Sequence, residues 1–263
     1  MGRRVERPVV KNRTRKRREQ TTPRERAEEL HAKGIPFQLA MAVAHGRLDL
    51  STALERLATR EKVDRLMEQH DLSRALATQI AIGHASLDQV MARRRMEDHR
   101  RLHRNRSILL GSVETGEPVV VALHGGQRAP GVVQSVRRYD FDFLPQGFDE
   151  PIEIRKLQVK FAYRPADWKA LDRALGNDRA REKRPLSPAE RPQDRFSLAD
   201  KRLFQCMDKG QTVAVTLLEG EVIRGKVAWF GRWEFGLRLR GDAEVVIFRH
   251  AIAGFSSPDS QSG

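Results

Sequence analysis

The chain has 263 residues, 39% hydrophobic and 32% charged, a length that fits two or three modest domains joined by linkers better than one large core. Its 49 Lys and Arg against 35 Asp and Glu give a formal charge of +14 and a pI near 10.6, so polyanions, nucleic acid first, are the partners to consider. One cysteine, Cys206, excludes an internal disulfide and a cysteine-built zinc site. With no signal-peptide core and no run of about 18 apolar residues, a cytoplasmic protein with no membrane partner is expected.

Residues 1–21 read as a disordered basic arm. Lys11, Arg13, Arg15, Lys16, Arg17 and Arg18 fall among few apolar residues, which suits either phosphate contacts or a solvated tail. Thr22, Pro23 and Glu25 then form a capping-box start, and Gly34 supplies a stop. From there to about residue 106 the pattern is helical. Leu39, Ala40, Val43, Ala44 and Gly46 reappear 37 residues later as Leu76, Ala77, Ile80, Ala81 and Gly83, which predicts a duplicated helix, glycine turn, helix unit. Its simplest use is to bury one face against the other copy; a protein-docking groove is the alternative.

After residue 106 short runs rich in Val, Ile and Phe alternate with glycine, predicting strands over 118–124, 127–137, 139–144, 152–157 and 159–163. A charged, proline-bearing linker follows at 165–196, with one short helix at 168–175. Strand texture then returns from 211 to 255, and residues 258–263 read as a disordered tail. A shift of 94 residues places Gly116 on Gly210, Gly126 on Gly220, Gly131 on Gly225, Tyr139 on Trp233 and Phe141 on Phe235. Continued without a gap, it sets Ile154, Arg155 and Lys156 on Phe248, Arg249 and His250. The two β units, 107–164 and 197–257, read as copies. Each is small enough that pairing its edge strands with a neighbour would stabilise it.

The second unit resembles the Hfq branch of the Sm-like RNA-binding family. The resemblance runs from Ser197 to Ser257: a helix opened by Ser197, Leu198 and Asp200, then Glu219, Gly220, Gly225, Val227 and Phe230, and finally Phe248, Arg249, His250, Ala251 and Ile252. That last segment is similar to the family's Tyr-Lys-His-Ala-Ile signature. The first unit resembles the family only through its copy. The resemblance implies an α+β chain: an α-helical N-terminal region followed by two tandem Sm-like five-stranded bent β-barrels. It also implies rings of six barrels, here three chains of a homo-oligomer, and single-stranded, U-rich RNA bound by stacking and cationic side chains. The RNA-binding positions it implies are Trp233, Arg232, Phe248, Arg249 and His250, with Tyr139, Arg138, Arg155 and Lys156 in the first copy. The family's base-contacting glutamine is replaced by Ala199, its Asp-Gln pair by Gly231 and Arg232, its A-rich-site tyrosine by Thr216 and Ala122, and its rim arginines by Met207 and Asp208. An A-rich site and rim annealing are therefore not expected.

His99 and His103 have metal-ligand spacing, but seven arginines from Arg93 to Arg106 surround them, so a solvated basic helix face is the expectation. No phosphate-binding glycine loop, nucleophile elbow or Cys/His metal set is present. A non-enzymatic RNA-binding protein without a cofactor is expected, with chaperone activity in post-transcriptional regulation as an extension. In that reading the arm and the arginine-rich helix supply phosphate contacts. The alternative is an oligomeric scaffold that recruits protein partners through its helical repeat and touches nucleic acid only through basic segments.

Overall fold

The computed structural model describes residues 21–257; the basic arm with Lys11 to Arg18 and the C-terminal tail lie outside the described residues. The chain divides into two compact units, one ending at Val90 and the other beginning at Met91.

In the first unit α1 (Pro23–Ala32) starts from the expected capping box: the Thr22 hydroxyl accepts from Glu25 N, and the Glu25 carboxylate accepts from Thr22 N. The next helices are α2 (Phe37–Ala44), α3 (Leu50–His70) and α4 (Arg74–Ala81), and α5 (Leu87–His103) begins in this unit. Asp49 and Ser73 cap α3 and α4 through their side chains. Gly46 and Gly83, one in each repeat, turn the chain at φ +71° and +82°, where a side chain would be strained. The repeat is present, and its second copy packs on its first where α4 meets α3, beyond the residues that repeat. α2 packs on α1 around Ala27, Ile35 and Ala40, and α4 packs on α3 around Val63, Leu66, Ala77 and Ile80. Each short helix takes the nearest apolar stripe, the one supplied by the helix before it.

The second unit runs from the end of α5 through α6 (Ile108–Thr115), β1 (Val119–Leu123), β2 (Arg128–Val136), β3 (Asp140–Pro145), β4 (Ile152–Arg155) and β5 (Val159–Tyr163). A connector carries α7 (Trp168–Ala174), β6 (Leu175–Asn177) and α8 (Arg179–Glu182). Then come α9 (Asp200–Asp208), β7 (Thr212–Leu217), β8 (Glu221–Phe230), β9 (Glu234–Arg238), β10 (Glu244–Phe248) and β11 (Ile252–Ser256). The expectation of two closed barrels is overturned. The strands form one open, antiparallel, 11-stranded sheet in the order β11-β7-β8-β9-β10-β5-β1-β2-β3-β4, with β6 beside β8. The reason lies in β10, which pairs with β5 through Val245↔Tyr163, Val246↔Ala162 and Ile247↔Phe161. These edge groups join the two halves instead of closing either one, leaving β4 and β11 as the ends.

Within that sheet the duplication holds in detail. Each half has its fifth strand beside its first, followed by the second, third and fourth. Each second strand carries a bulge at the same place, at Gln134 and at Ala228. The ungapped alignment fails, however, after the hairpin between the third and fourth strands. Phe141 pairs with Ile154 but Phe235 with Ile247, and Asp140 with Arg155 but Glu234 with Phe248. The first half has one residue more in that turn, so Arg155 takes the place of Phe248, Lys156 that of Arg249 and Leu157 that of His250.

The cores interleave across the joint. Phe161 and Tyr163 of β5 belong to the cluster built on Leu203, Val215, Ile223, Phe235 and Val245, whereas Phe248 belongs to the cluster of Leu109, Val121, Phe141, Phe143 and Ile154. Burying each such aromatic contributes roughly 1.5–3 kcal/mol. Part of each half's stability is therefore supplied by the other.

Candidate nucleic-acid interface

The turns from the second to the third strand in each half present the two aromatic residues singled out by the sequence. Gly231 N donates to Glu234 O at 2.9 Å and closes the β8–β9 turn. The closed turn leaves Trp233 58% exposed, with the Arg232 guanidinium 4.6 Å from its ring centre. In the first half Arg137 N donates to Asp140 O, and Tyr139 is 69% exposed with the Arg138 guanidinium 5.1 Å from its ring. Backbone anchoring is the same in both: Trp233 O accepts from Arg249 N at 2.9 Å and Tyr139 O from Lys156 N at 2.8 Å. Each turn thus holds its main chain fixed and offers a ring face paired with a cation, the arrangement on which bases stack.

The cationic partners behave differently from one another. The Lys156 ammonium donates to the carbonyls of Arg137 and Arg138, and burial pushes its pKa below the usual lysine range. Arg155 is exposed at the end of β4. Arg249 is committed to structure: it donates to Leu198 O at 3.0 Å and to Asp200 Oδ1 at 2.6 Å, clamping the start of α9. His250 Nε2 donates to Val159 O across the joint at 2.9 Å, and burial pushes its pKa down to about 4. Phe248 is buried in the first half's core. The signature segment therefore builds the joint, and of the sequence-derived set Trp233, Arg232, Tyr139, Arg138 and Arg155 are the residues open to solvent.

Sequence reasoning missed two groups. Glu234, only 5% exposed, follows Trp233 directly; burial pushes its carboxyl up to about 7, against hydrogen bonds from Ser107 and from Ile108 N–H and the charges of Lys156 and Arg106. A lone glutamate in a strand gives no sign of this. The other group is a cluster at the joint, where Lys160, 1% exposed, pairs with Glu219 at 2.6 Å and with Glu221. Glu219 also accepts from Gly125 N and from His124 Nδ1, and although burial opposes it, these partners hold its pKa below the usual range.

The arginine-rich stretch is largely spent on ion pairs: Arg93 with Glu97, Arg95 with Asp208, Arg100 with Asp200, Arg101 with Asp98 and Arg106 with Glu244. His99 and His103 lie on the docking face of α5. His99 Nε2 accepts from Phe230 N at 3.2 Å, its ring sits 4.3 Å from that of Phe230, and burial, with the charges of His103 and Arg106, pushes its pKa down to about 4. Burial lowers His103 as well. Among the described residues no group of three His, Cys, Asp or Glu side chains is placed to hold a metal ion, and no helix is long and apolar enough to cross a membrane.

Compared with known proteins, the sequence matches no protein-family model and no curated relative.

Proposed function

We propose that the sheet unit binds single-stranded RNA without catalysing a reaction, stacking bases on Trp233 with Arg232 and on Tyr139 with Arg138. One observation carries the reading: two large aromatic rings, each under an arginine, stand exposed at the same turn of two duplicated halves. A core role for the rings would hide them, and a random surface would not repeat the pairing. The resemblance to the Hfq branch of the Sm-like family, the chain's net charge of +14 and the shared strand order of the halves support it. Preference for uridine, and action as an RNA chaperone, rest on that resemblance alone, because His250 and Phe248 are engaged elsewhere.

Assembly belongs to the same proposal. β4 and β11 are the free ends of the sheet, and they are the counterparts of β10 and β5, which pair at the internal joint. Repeating that joint between chains sets Ile152 opposite Ser256, Glu153 opposite Phe255 and Ile154 opposite Gly254, and gives a homo-oligomer, with three chains if it closes as the resemblance implies. Arg202 donates to Phe255 O at 3.1 Å, which leaves that carbonyl a second lone pair for a partner strand.

The test is fluorescence anisotropy with labelled oligo(U), oligo(A) and duplex DNA of equal length. Single strands bind more tightly than duplex, and Trp233→Ala weakens them by about 5- to 150-fold, the loss of about 1–3 kcal/mol of stacking. Equal affinity for all three, or an unaffected Trp233→Ala variant, overturns the reading. If deleting residues 1–20 removes all affinity, the sheet is a scaffold and the arm alone touches nucleic acid.

A further inference from the structure

The connector between the halves is more than a tether. β6 pairs with the start of β8, Gly176 opposite Val222, and the next residues fasten onto the β7–β8 turn. Asp178 N donates to Gly220 O at 2.8 Å, Leu186 N to Leu218 O at 2.9 Å, and the Asp178 carboxylate accepts from Ala180 N and Arg181 N. The fit is close: a Cβ on Gly220, whose φ is +101°, would come within 2.7 Å of Glu182 N. A short loop is thereby held rigid against the sheet.

That loop carries Arg179, Arg181, Lys183 and Arg184, which line a shallow cleft. The arginines of α5 are mostly neutralised by carboxylates, whereas none of these four forms an ion pair among the described residues. The carboxylates nearby are Asp178, occupied in capping, Glu219 and Glu221, both paired with Lys160, and Glu182. Arg181 Nε is buried without an acceptor, which leaves the outer nitrogens of its guanidinium as the part that can meet a ligand. Unpaired guanidinium groups on an anchored backbone suit phosphate oxygens through charge-assisted, bidentate hydrogen bonds.

We propose that this basic hook, Arg179, Arg181, Lys183 and Arg184, grips the phosphodiester backbone of the same single strand whose bases stack on Trp233. The inference rests on the proposed function and extends it. Four cations in six residues exceed what one free phosphate needs, and the hook lies at the opposite end of β8 from Trp233. Ten residues of strand span roughly 30 Å, farther than a trinucleotide reaches even with its backbone fully extended. Only strands of more than a few nucleotides reach both places.

The experiment compares 3-mer and 18-mer single strands on the full chain, as wild type, as Trp233→Ala and as the combined variant Arg179→Gln, Lys183→Gln, Arg184→Gln, which keeps Asp178 and Arg181 in place. Wild type binds the 18-mer more tightly. Trp233→Ala weakens both lengths, whereas the hook variant weakens only the 18-mer, by at least about tenfold, and lowers its salt slope by about 0.7 for each phosphate the hook no longer holds. Unchanged 18-mer affinity and slope in a hook variant with wild-type circular dichroism overturns the hook and leaves the stacking site standing. Equal weakening of both lengths also overturns it, because the hook would then not be a separate place of binding. If wild type binds neither length, the proposed function and the hook fall together.

Discussion

Glu234 is a carboxylic acid enclosed by protein directly behind an exposed tryptophan, with Lys156 and Arg106 as its charged neighbours. Its folded pKa of about 7 lies above its ordinary 4.5, so its contribution to stability is fully present below about pH 4.5 and is lost as pH rises through 7. Glu234→Gln removes that dependence. The Tm difference, variant minus wild type, is expected to grow more positive from pH 5 to pH 8, and a flat difference would show that the carboxyl titrates normally. His99 and His250 act in the other direction. Their folded pKa values near 4 mean that the stability they contribute is present above about 6.5 and is lost as pH falls toward 4. None of this was legible in the sequence, because burial is set by the fold and not by the residue's neighbours in the chain. The exposed rings were legible: an aromatic following an arginine in a turn between two strands has little apolar surface to pack against.

At the scale of elements, strand positions and the duplication could be read from glycine spacing and β-branched runs, since turn chemistry and alternation are local. What each edge strand pairs with could not. The backbone groups of β10 serve equally to close its own half or to join the other, and only the assembled halves decide. The one-residue slip after the third strand was hidden for a related reason: Arg155 and Lys156 match Arg249 and His250 as cations, while the hydrogen-bond register sets Lys156 on Arg249 and Leu157 on His250. The most specific motif in the sequence thus turned out to build a joint. Phe248→Ala tests this. A ring serving only as a binding surface would cost little stability, but one buried in the first half's core costs about 3–5 kcal/mol on chemical denaturation.

For the molecule as a whole, the internal joint differs from the chain-to-chain joint that the free ends would make. Lys160, Glu219, Glu221 and His124 correspond to Ala253, Gly125, Gln127 and Leu218 in the other half, so the outer joint carries no ion pairs of this kind. It is accordingly expected to be weaker and less sensitive to salt than the inner one. The substitutions Ile152→Cys and Ser256→Cys, at two exposed positions, check its register. The double variant is expected to form disulfide-linked ladders on mild oxidation and neither single variant to do so; monomers from the double variant would argue against the edge pairing.

The interleaved cores also govern how the chain comes into being. While the ribosome is still making the connector, the nascent first half has its strands but not Phe248, and β5 has no β10 beside it. Phe161 and Tyr163, which belong among second-half residues, have nowhere to go. A chain halted at residue 164 is expected to be recovered as aggregate or as a protease-sensitive species, and adding residues 165–257 as a separate polypeptide during refolding should rescue it. Translation through the second half is, for this protein, a condition of folding the first half of its sheet.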